Sequence, residues 1–266
     1  MSEQSSSLVE IQDLDSGIVK IMLNDPGHQN TLSEKMIDEL QNVFDAHTSG
    51  QSRVLVLAAS GKVFSAGHDL KELKAARSNA DQGKEYFQFI LKKCSTLMQT
   101  IVHHPKPVIA QVDGVATAAG CQLALSCDLV YASSSSRFAT PGVNIGLFCS
   151  TPMVALSRNT SVKHSMEMLL TGDFISAREA ADKCLINKSL EQADLESYVL
   201  EKAKKINAKS KTTLKIGKKA FYEQIEMPLS KAYEYASQVM VENMLEDDAK
   251  EGIEAFLDKR PPSWKE

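Results

Sequence analysis

The sequence lacks long apolar runs, closely paired cysteines and any fixed-length repeat. No segment approaches the roughly 18 consecutive apolar residues of a membrane-spanning helix, which argues against an integral membrane protein. The five cysteines are an odd number without a CxxC pair, which argues against a disulfide framework or a zinc cluster. We therefore expect reduced thiols at Cys94, Cys121, Cys127, Cys149 and Cys184.

Nucleotide-binding and metal-binding signatures are also missing. No GxGxxG sequence follows a predicted strand, and no phosphate-binding loop is present. The histidines, including the adjacent pair His103 and His104, do not have the spacing of metal ligands. The sequence therefore predicts no resident metal and no cofactor.

Charge and composition are typical of a globular chain. Its 266 residues are 43% hydrophobic and carry a formal net charge of −4, which allows a large core. The acidic balance gives no electrostatic basis for nucleic acid or an anionic membrane as the main partner. Residues 1–7 lack the charged-then-apolar layout of a signal peptide, so we expect a cytoplasmic protein.

Apolar periodicity alternates between strand and helix in the first part of the chain. Period-two or continuous apolar runs predict strands at 19–23, 54–58, 108–112 and 129–132. Helical patterns at 33–46 and 82–102 lie between them, which predicts an α/β architecture with a largely parallel sheet. After residue 173 the strand signal fades, and helices are predicted at 176–185, 195–206, 212–224 and 230–244.

Two segments carry the most specific pattern. One is VFSAGHDLKEL at residues 63–73, and the other is VDGVATAAGCQLALSCD at residues 112–128. Together they resemble the crotonase family, the enoyl-CoA hydratase/isomerase superfamily. The resemblance covers nearly the whole chain in family order, because it extends through residues 23–26, 138–141, 170–173 and 256–260.

The resemblance implies an α/β fold, the crotonase-type spiral of ββα turns, over residues 1–190. It implies a C-terminal helical region at 191–266 through which subunits assemble into a homotrimer or hexamer. It also implies an acyl-CoA thioester as the partner, with CoA entering as part of the substrate. Composition and periodicity alone do not distinguish this spiral from a doubly wound sheet.

By the same resemblance, two backbone amides donate hydrogen bonds to the thioester carbonyl oxygen, which gains negative charge as an enolate forms. These amides fall on His68 and Ala119. Family members often have glycine at the second position, but alanine keeps the amide provided that its φ is negative. Asp69 is predicted to cap the following helix. CoA contacts are implied at Ala66, Lys71, Phe256 and Lys259, the last two across a subunit boundary.

The two glutamates of the hydratase pattern are missing. Their positions hold Gln122, whose amide can position a water molecule but cannot take its proton, and Gly142, which has no side chain. Each general acid or base contributes about 10²–10⁴ in rate, so we expect weak hydratase activity. Some isomerases of the superfamily have an aspartate at the position of Ser150, whose hydroxyl is a poor base. The other polar candidates are Thr140, Asn144, Cys149 and the His68 side chain.

Three kinds of function remain compatible with this pattern. The first is a nominal enoyl-CoA hydratase, a lyase of fatty acid metabolism that stabilises a thioester enolate but hydrates weakly. The second is decarboxylation of a malonyl- or methylmalonyl-type CoA, which forms the enolate without a base, or isomerisation of an enoyl-CoA. The third is a non-catalytic acyl-CoA-binding protein.

Overall fold

The computed structural model describes residues 7–265. Within that range the chain forms ten strands and eleven α-helices. The strands are β1 (Val9–Asp15), β2 (Ile18–Leu23), β3 (Val54–Ala59), β4 (Val63–Ser65), β5 (Val108–Val112), β6 (Val115–Thr117), β7 (Leu129–Ser133), β8 (Arg137–Ala139), β9 (Ile175–Ser176) and β10 (Lys188–Leu190).

The helices occupy the connections and the C-terminal part of the chain. They are α1 (Glu34–Ala46), α2 (Leu70–Ala76), α3 (Lys84–Val102), α4 (Ala119–Leu125), α5 (Pro152–Asn159), α6 (Val162–Thr171), α7 (Ala177–Asp182), α8 (Gln192–Asn207), α9 (Lys211–Gln224), α10 (Leu229–Met244) and α11 (Asp247–Leu257). Two short 3-10 turns lie at Pro26–His28 and Pro141–Ile145.

The strands form two sheets that the chain visits in turn. The larger sheet has the order β1-β2-β3-β5-β7-β10, and the smaller has the order β4-β6-β8-β9. Pairing is parallel except between β1 and β2 and between β8 and β9. Three times the chain runs from the larger sheet to the smaller one and then into a helical segment. This is the predicted spiral of ββα turns, and the fold prediction is confirmed.

The core lies on both faces of the larger sheet. In β3, Leu55 and Leu57 pack with the buried face of α1 on one side, whereas Val54 and Val56 pack against α8 on the other. A strand covered on both faces is apolar at consecutive positions rather than at alternate ones. This double coverage explains the continuous run that predicted β3.

Several boundaries differ from the sequence-based predictions. The helix predicted from residue 82 begins at Lys84, because Gly83 has a left-handed φ of 88° and cannot continue it. The helix predicted at 176–185 is α7, which Ser176 caps through a reciprocal capping box with Glu179. The strand signal does not end at residue 173, since β9 and β10 follow.

The C-terminal helices leave a large apolar surface uncovered. Neither α9 nor α10 has a buried residue among those the structure describes. Large exposed apolar side chains on α9, α10 and α11 and beside them are Phe221, Ile225, Leu229, Tyr233, Met240, Val241, Met244, Leu245, Ile253, Phe256 and Leu257. Over residues 7–265, no helix combines the length and apolar character needed to cross a membrane.

Candidate active site

Three neighbouring parallel strands of the smaller sheet bring the predicted site residues to one edge. β6 pairs in parallel with β4 on one side and with β8 on the other. The carboxyl ends of parallel strands meet at the same edge of a sheet. Residues 66–68 follow β4, residues 118–122 follow β6, and residues 140–142 follow β8. The sites predicted from two separate motifs therefore lie side by side.

The first two loops touch closely enough that both require glycine. A Cβ atom added to Gly67, whose φ is +87°, would lie 3.0 Å from the backbone nitrogen of Ala119. A Cβ atom added to Gly120 would lie only 2.2 Å from the carbonyl oxygen of Ser65. The loop that carries the His68 amide is thus packed against the first turn of α4. Ala119 begins that helix, so its N–H has no acceptor within the helix.

Backbone strain in this region lies at Ala118 rather than at Ala119. Ala118 has φ 48° and ψ −121°, a left-handed conformation that costs a residue with a Cβ roughly 1–3 kcal/mol. Ala119 is absent from the described residues with positive φ. The condition set for an alanine at the second amide position is therefore met. The strained turn orients the first residue of α4.

His68 is held by the segment before α1. The Leu32 amide donates to the Gly67 carbonyl at 2.8 Å, and Leu32 and His68 form an isolated parallel bridge. Burial lowers the pKa of the His68 imidazole below its usual value, so the ring is neutral at pH 7. Both ring nitrogens are buried without a hydrogen-bond partner. The Leu32 backbone lies near enough to the ring to raise its pKa in part against the effect of burial. The neutral ring has one donor and one acceptor nitrogen, and neither makes a hydrogen bond of ordinary geometry.

Gln122 lies on α4, a helix whose seven residues are all buried. The Gln122 side chain is itself buried, at 5% exposure, and its Oε1 atom has no hydrogen-bond partner in the described part of the chain. Buried amides normally have partners. We therefore expect the Oε1 atom of Gln122 to pair with a polar group of a bound ligand or with a water molecule.

At Gly142, the position of the second glutamate, neighbouring protein atoms fill the space that a side chain would need. The Gly142 carbonyl accepts a hydrogen bond from the Leu147 amide at 2.9 Å, and the Gly142 amide donates to the Cys149 sulfur at 3.3 Å. A Cβ atom on Gly142 would lie 2.6 Å from the Leu147 carbonyl oxygen and 2.9 Å from that sulfur. A glutamate does not fit here unless the loop moves. Burial also raises the pKa of the Cys149 thiol, so it is not a base at neutral pH.

The remaining proton-transfer candidates differ in their surroundings. Ser150 is exposed, and its hydroxyl donates to the Phe148 carbonyl at 3.3 Å. Asn144 is exposed in the 3-10 turn Pro141–Ile145, and its Nδ2 atom would lie 3.0 Å from a Cβ added to Gly172, the C-cap residue that ends α6. Thr140 is almost fully buried, at 1% exposure, and its hydroxyl has no partner. The sequence gives no signal that Thr140 would be buried with an unpaired hydroxyl.

The residues predicted to contact CoA occupy accessible positions. Ala66 is half-buried and lies in the first loop. Lys71 is exposed in the first turn of α2, which Asp69 caps as predicted by accepting from the Lys71 amide at 2.7 Å. Phe256 is 82% exposed on α11, and Lys259 follows that helix. Their contacts with CoA remain predictions. Over residues 7–265, no cluster of three or more His, Cys, Asp or Glu side chains has metal-binding geometry.

Fold and site together define a two-sheet ββα spiral that presents two backbone amides at the ends of adjacent parallel strands. The family model described as enoyl-CoA hydratase/isomerase matches residues 13–266. The chain belongs to this family, the crotonase superfamily.

Relatives and solved structures agree with this assignment. The mitochondrial enoyl-CoA hydratase domain-containing protein 3 of Mus musculus is 46% identical over 264 residues, which covers 99% of this chain and 86% of that protein. The crystal structure of human enoyl coenzyme A hydratase domain-containing protein 3 matches with a TM-score of 0.91 and 45% identity, covering 97% of this chain and 100% of that one. An enoyl-CoA hydratase from Mycobacterium smegmatis matches with a TM-score of 0.92 and 43% identity, covering 97% and 99%.

The cytoplasmic prediction is wrong. Relatives from mouse, rat and human, at 46%, 47% and 46% identity, are all named mitochondrial. The prediction depended on the absence of a secretory signal pattern. Mitochondrial leaders follow a different, amphipathic and arginine-rich pattern, so that absence does not separate cytoplasm from mitochondrion.

Proposed function

We propose that this chain binds acyl-CoA thioesters and stabilises a thioester enolate through the N–H groups of His68 and Ala119, with little hydratase activity. The packing of the Gly67 loop against the Ala119 nitrogen is the observation that carries this proposal. Two donors fixed by tight turns suit an oxygen that becomes negative during the reaction. Such donors cost no reorganisation when the charge develops.

Weak hydration follows from the groups at the two glutamate positions. The Gln122 amide does not ionise near neutral pH and so is neither an acid nor a base there, and the space beside Gly142 is taken by Leu147 and Cys149. Loss of one general acid or base costs about 10²–10⁴ in rate. Losses within one catalytic unit are not additive, but even one is severe.

The same proposal includes CoA contacts, assembly and location. Lys71 is exposed just after residues 66–68, the loop that carries the His68 amide, and its ammonium can contact a phosphate of CoA. Exposed apolar side chains on α9, α10 and α11 support a homotrimer or hexamer, in which Phe256 and Lys259 would reach a neighbouring subunit's ligand. The names of the relatives support a mitochondrial location.

Binding and turnover should be measured on one preparation of the purified protein. Calorimetric titration with acetyl-CoA is expected to show binding, and crotonyl-CoA is expected to be hydrated slowly or not at all. Substantial hydration that Gln122→Ala abolishes would refute the mechanistic part of the proposal. Tight binding with no turnover of crotonyl-, malonyl- or methylmalonyl-CoA would favour a non-catalytic acyl-CoA-binding protein.

Decarboxylation of a malonyl-type thioester is the second candidate function. The favouring observation is that the site keeps the amide pair but has no Asp or Glu at residues 65–68, 117–122 or 139–142. When the C2–C3 bond breaks, CO₂ leaves and the electron pair of that bond forms the enolate. The enolate oxygen accepts hydrogen bonds from the two amides. Water then supplies a proton to C2. Release of CO₂ together with formation of the shortened thioester tests this candidate function. If neither malonyl-CoA nor methylmalonyl-CoA releases CO₂, decarboxylation is refuted.

A further inference from the structure

Unpaired buried polar atoms are concentrated at the proposed site. Over residues 7–265, nine buried side-chain nitrogen or oxygen atoms have no hydrogen-bond partner. Four of the nine belong to three residues at the carboxyl ends of the short parallel strands: Nδ1 and Nε2 of His68, Oε1 of Gln122 and Oγ1 of Thr140. A buried polar atom left unpaired costs about 1–3 kcal/mol. Such a concentration at one edge is compatible with a bound polar group that pairs with these atoms.

The three residues lie in the segments that follow three neighbouring parallel strands of the smaller sheet. Thr140 immediately follows β8, His68 lies three residues after β4, and Gln122 is on the first turns of the helix after β6. The Thr117 hydroxyl, at the end of β6, donates to the Ala66 carbonyl at 3.2 Å and joins the first two loops. The Ala118 amide donates to the Ala139 carbonyl at 3.0 Å and joins the second loop to the third.

The donor inventory of this set fits an anion. The Thr140 hydroxyl offers one O–H, the neutral His68 ring offers one N–H, and the Gln122 amide offers an NH₂ group. The two ends of a glutamine amide are exchanged by rotation, so the donor end can take the unpaired position. The acidic residue of the first loop, Asp69, is engaged in capping α2. A carboxylate bound here would meet the donors of this set.

We propose that His68, Gln122 and Thr140 together receive a carboxylate borne on the third carbon of the acyl group, so that this site selects malonyl-type thioesters over hydrocarbon acyl groups. The inference rests on the proposed thioester site and adds its substrate class. A hydrocarbon group of equal size leaves the donors unpaired. A carboxylate gains charge-assisted hydrogen bonds, which are the stronger kind.

Two thioesters of equal shape make the comparison. Malonyl-CoA and 3-methylbutanoyl-CoA each carry two atoms on the third acyl carbon, oxygens in the first and methyl carbons in the second. Calorimetric titration of the intact protein is expected to show malonyl-CoA bound about tenfold more tightly or better, because hydrogen bonds to charged groups contribute roughly 1.5–3 kcal/mol. If mass spectrometry shows conversion of malonyl-CoA, its KM is compared with the inhibition constant of the branched ester.

Variants identify the residues responsible. Thr140→Val and Gln122→Met keep side-chain size but remove the donors, and each is expected to reduce the malonyl preference, because each removes one of its three donors. Gln41→Met is the matched control, since Gln41 also has a buried, unpaired Oε1 atom but lies on α1. It should leave the preference unchanged. Acetyl-CoA affinity, measured on every variant, reports whether the site is folded.

The outcomes separate this inference from the proposed function. Failure of acetyl-CoA to bind would refute the thioester site itself. If acetyl-CoA binds but malonyl-CoA and 3-methylbutanoyl-CoA bind equally well, or the branched ester binds better, the proposed carboxylate site is refuted and the thioester site is not. An unchanged preference in both site variants would also refute the carboxylate site. If neither variant folds, the ratio in the unaltered chain decides.

Discussion

Replacing Gly120 by alanine is the sharpest structural perturbation of the two amides, those of His68 and Ala119, that we propose bind the thioester carbonyl. The added Cβ would lie 2.2 Å from the Ser65 carbonyl oxygen and 2.7 Å from the Ser65 carbonyl carbon, both of them backbone atoms. Ordinary contact for such an atom begins near 3.4 Å. The end of β4 and the first turn of α4 must therefore separate by more than about 1 Å.

Two magnitudes follow from this separation. Overpacking of a close-packed contact costs about 1–3 kcal/mol, so we expect the free energy of unfolding to fall by roughly 2 kcal/mol. The same movement shifts the Ala119 amide relative to the His68 amide. Loss of one neutral hydrogen bond to the thioester carbonyl costs about 1 kcal/mol in binding, or roughly fivefold in affinity. Loss of one such donor costs about 10²–10³ in any turnover that depends on the enolate.

Urea unfolding and calorimetric titration with acetyl-CoA measure both effects. Gly217→Ala is the matched control, because a Cβ there meets nothing within 4 Å and Gly217 lies inside α9. Alanine in a helix interior is favoured over glycine by about 0.5–1 kcal/mol, so the control should be slightly stabilised and should bind normally. Unchanged stability and affinity in Gly120→Ala would refute the close packing of the two loops.

Three further predictions concern strain, a buried ion pair and pH. Ala118→Gly should raise the free energy of unfolding by about 1 kcal/mol, because glycine adopts the left-handed φ of 48° without strain; a lower melting temperature would contradict this. Lys218→Met should cost about 3 kcal/mol in urea unfolding, since it leaves the partly buried Asp128 without the ammonium now 2.7 Å away. The exposed Lys219→Met control should stay within about 0.5 kcal/mol. Burial lowers the pKa of His104 to about 4. As the pH falls below about 6.5, His104 is protonated in the unfolded chain but stays neutral in the folded chain, which favours unfolding. Between pH 7 and pH 5 the free energy of unfolding of the parent protein should therefore fall by about 2 kcal/mol more than that of His104→Gln. Equal losses would contradict the neutral buried ring.

The central strands of the larger sheet follow from the sequence because each buries both faces. The predicted runs at 54–58 and 108–112 correspond to β3 and β5, with β5 matching at both ends. The smaller sheet was not predicted. Its strands β4, β6 and β8 have three residues each, too few to establish a period of two. These short strands nevertheless position the site, because their carboxyl ends carry its three loops.

The site itself was predictable only in part. His68, Ala119 and Gln122 were indicated by the resemblance of the two motifs to the crotonase family. The filled space beside Gly142 was not foreseeable, because it depends on Leu147 folding back over five residues, with its amide bonded to the Gly142 carbonyl and its own carbonyl beside the Gly142 Cα. Sequence patterns report local geometry, whereas these contacts arise from how a loop packs.

The central claim is that two backbone amides polarise a thioester carbonyl. Infrared difference spectroscopy of acetyl-CoA labelled with ¹³C at the carbonyl carbon measures that polarisation directly, because the isotope separates the ligand's band from those of the protein. Hydrogen bonds from His68 and Ala119 predict a carbonyl stretch at lower frequency in the complex than in buffer, with part of the shift lost in Gly120→Ala. A bound ligand whose carbonyl frequency equals that in buffer would contradict the claim.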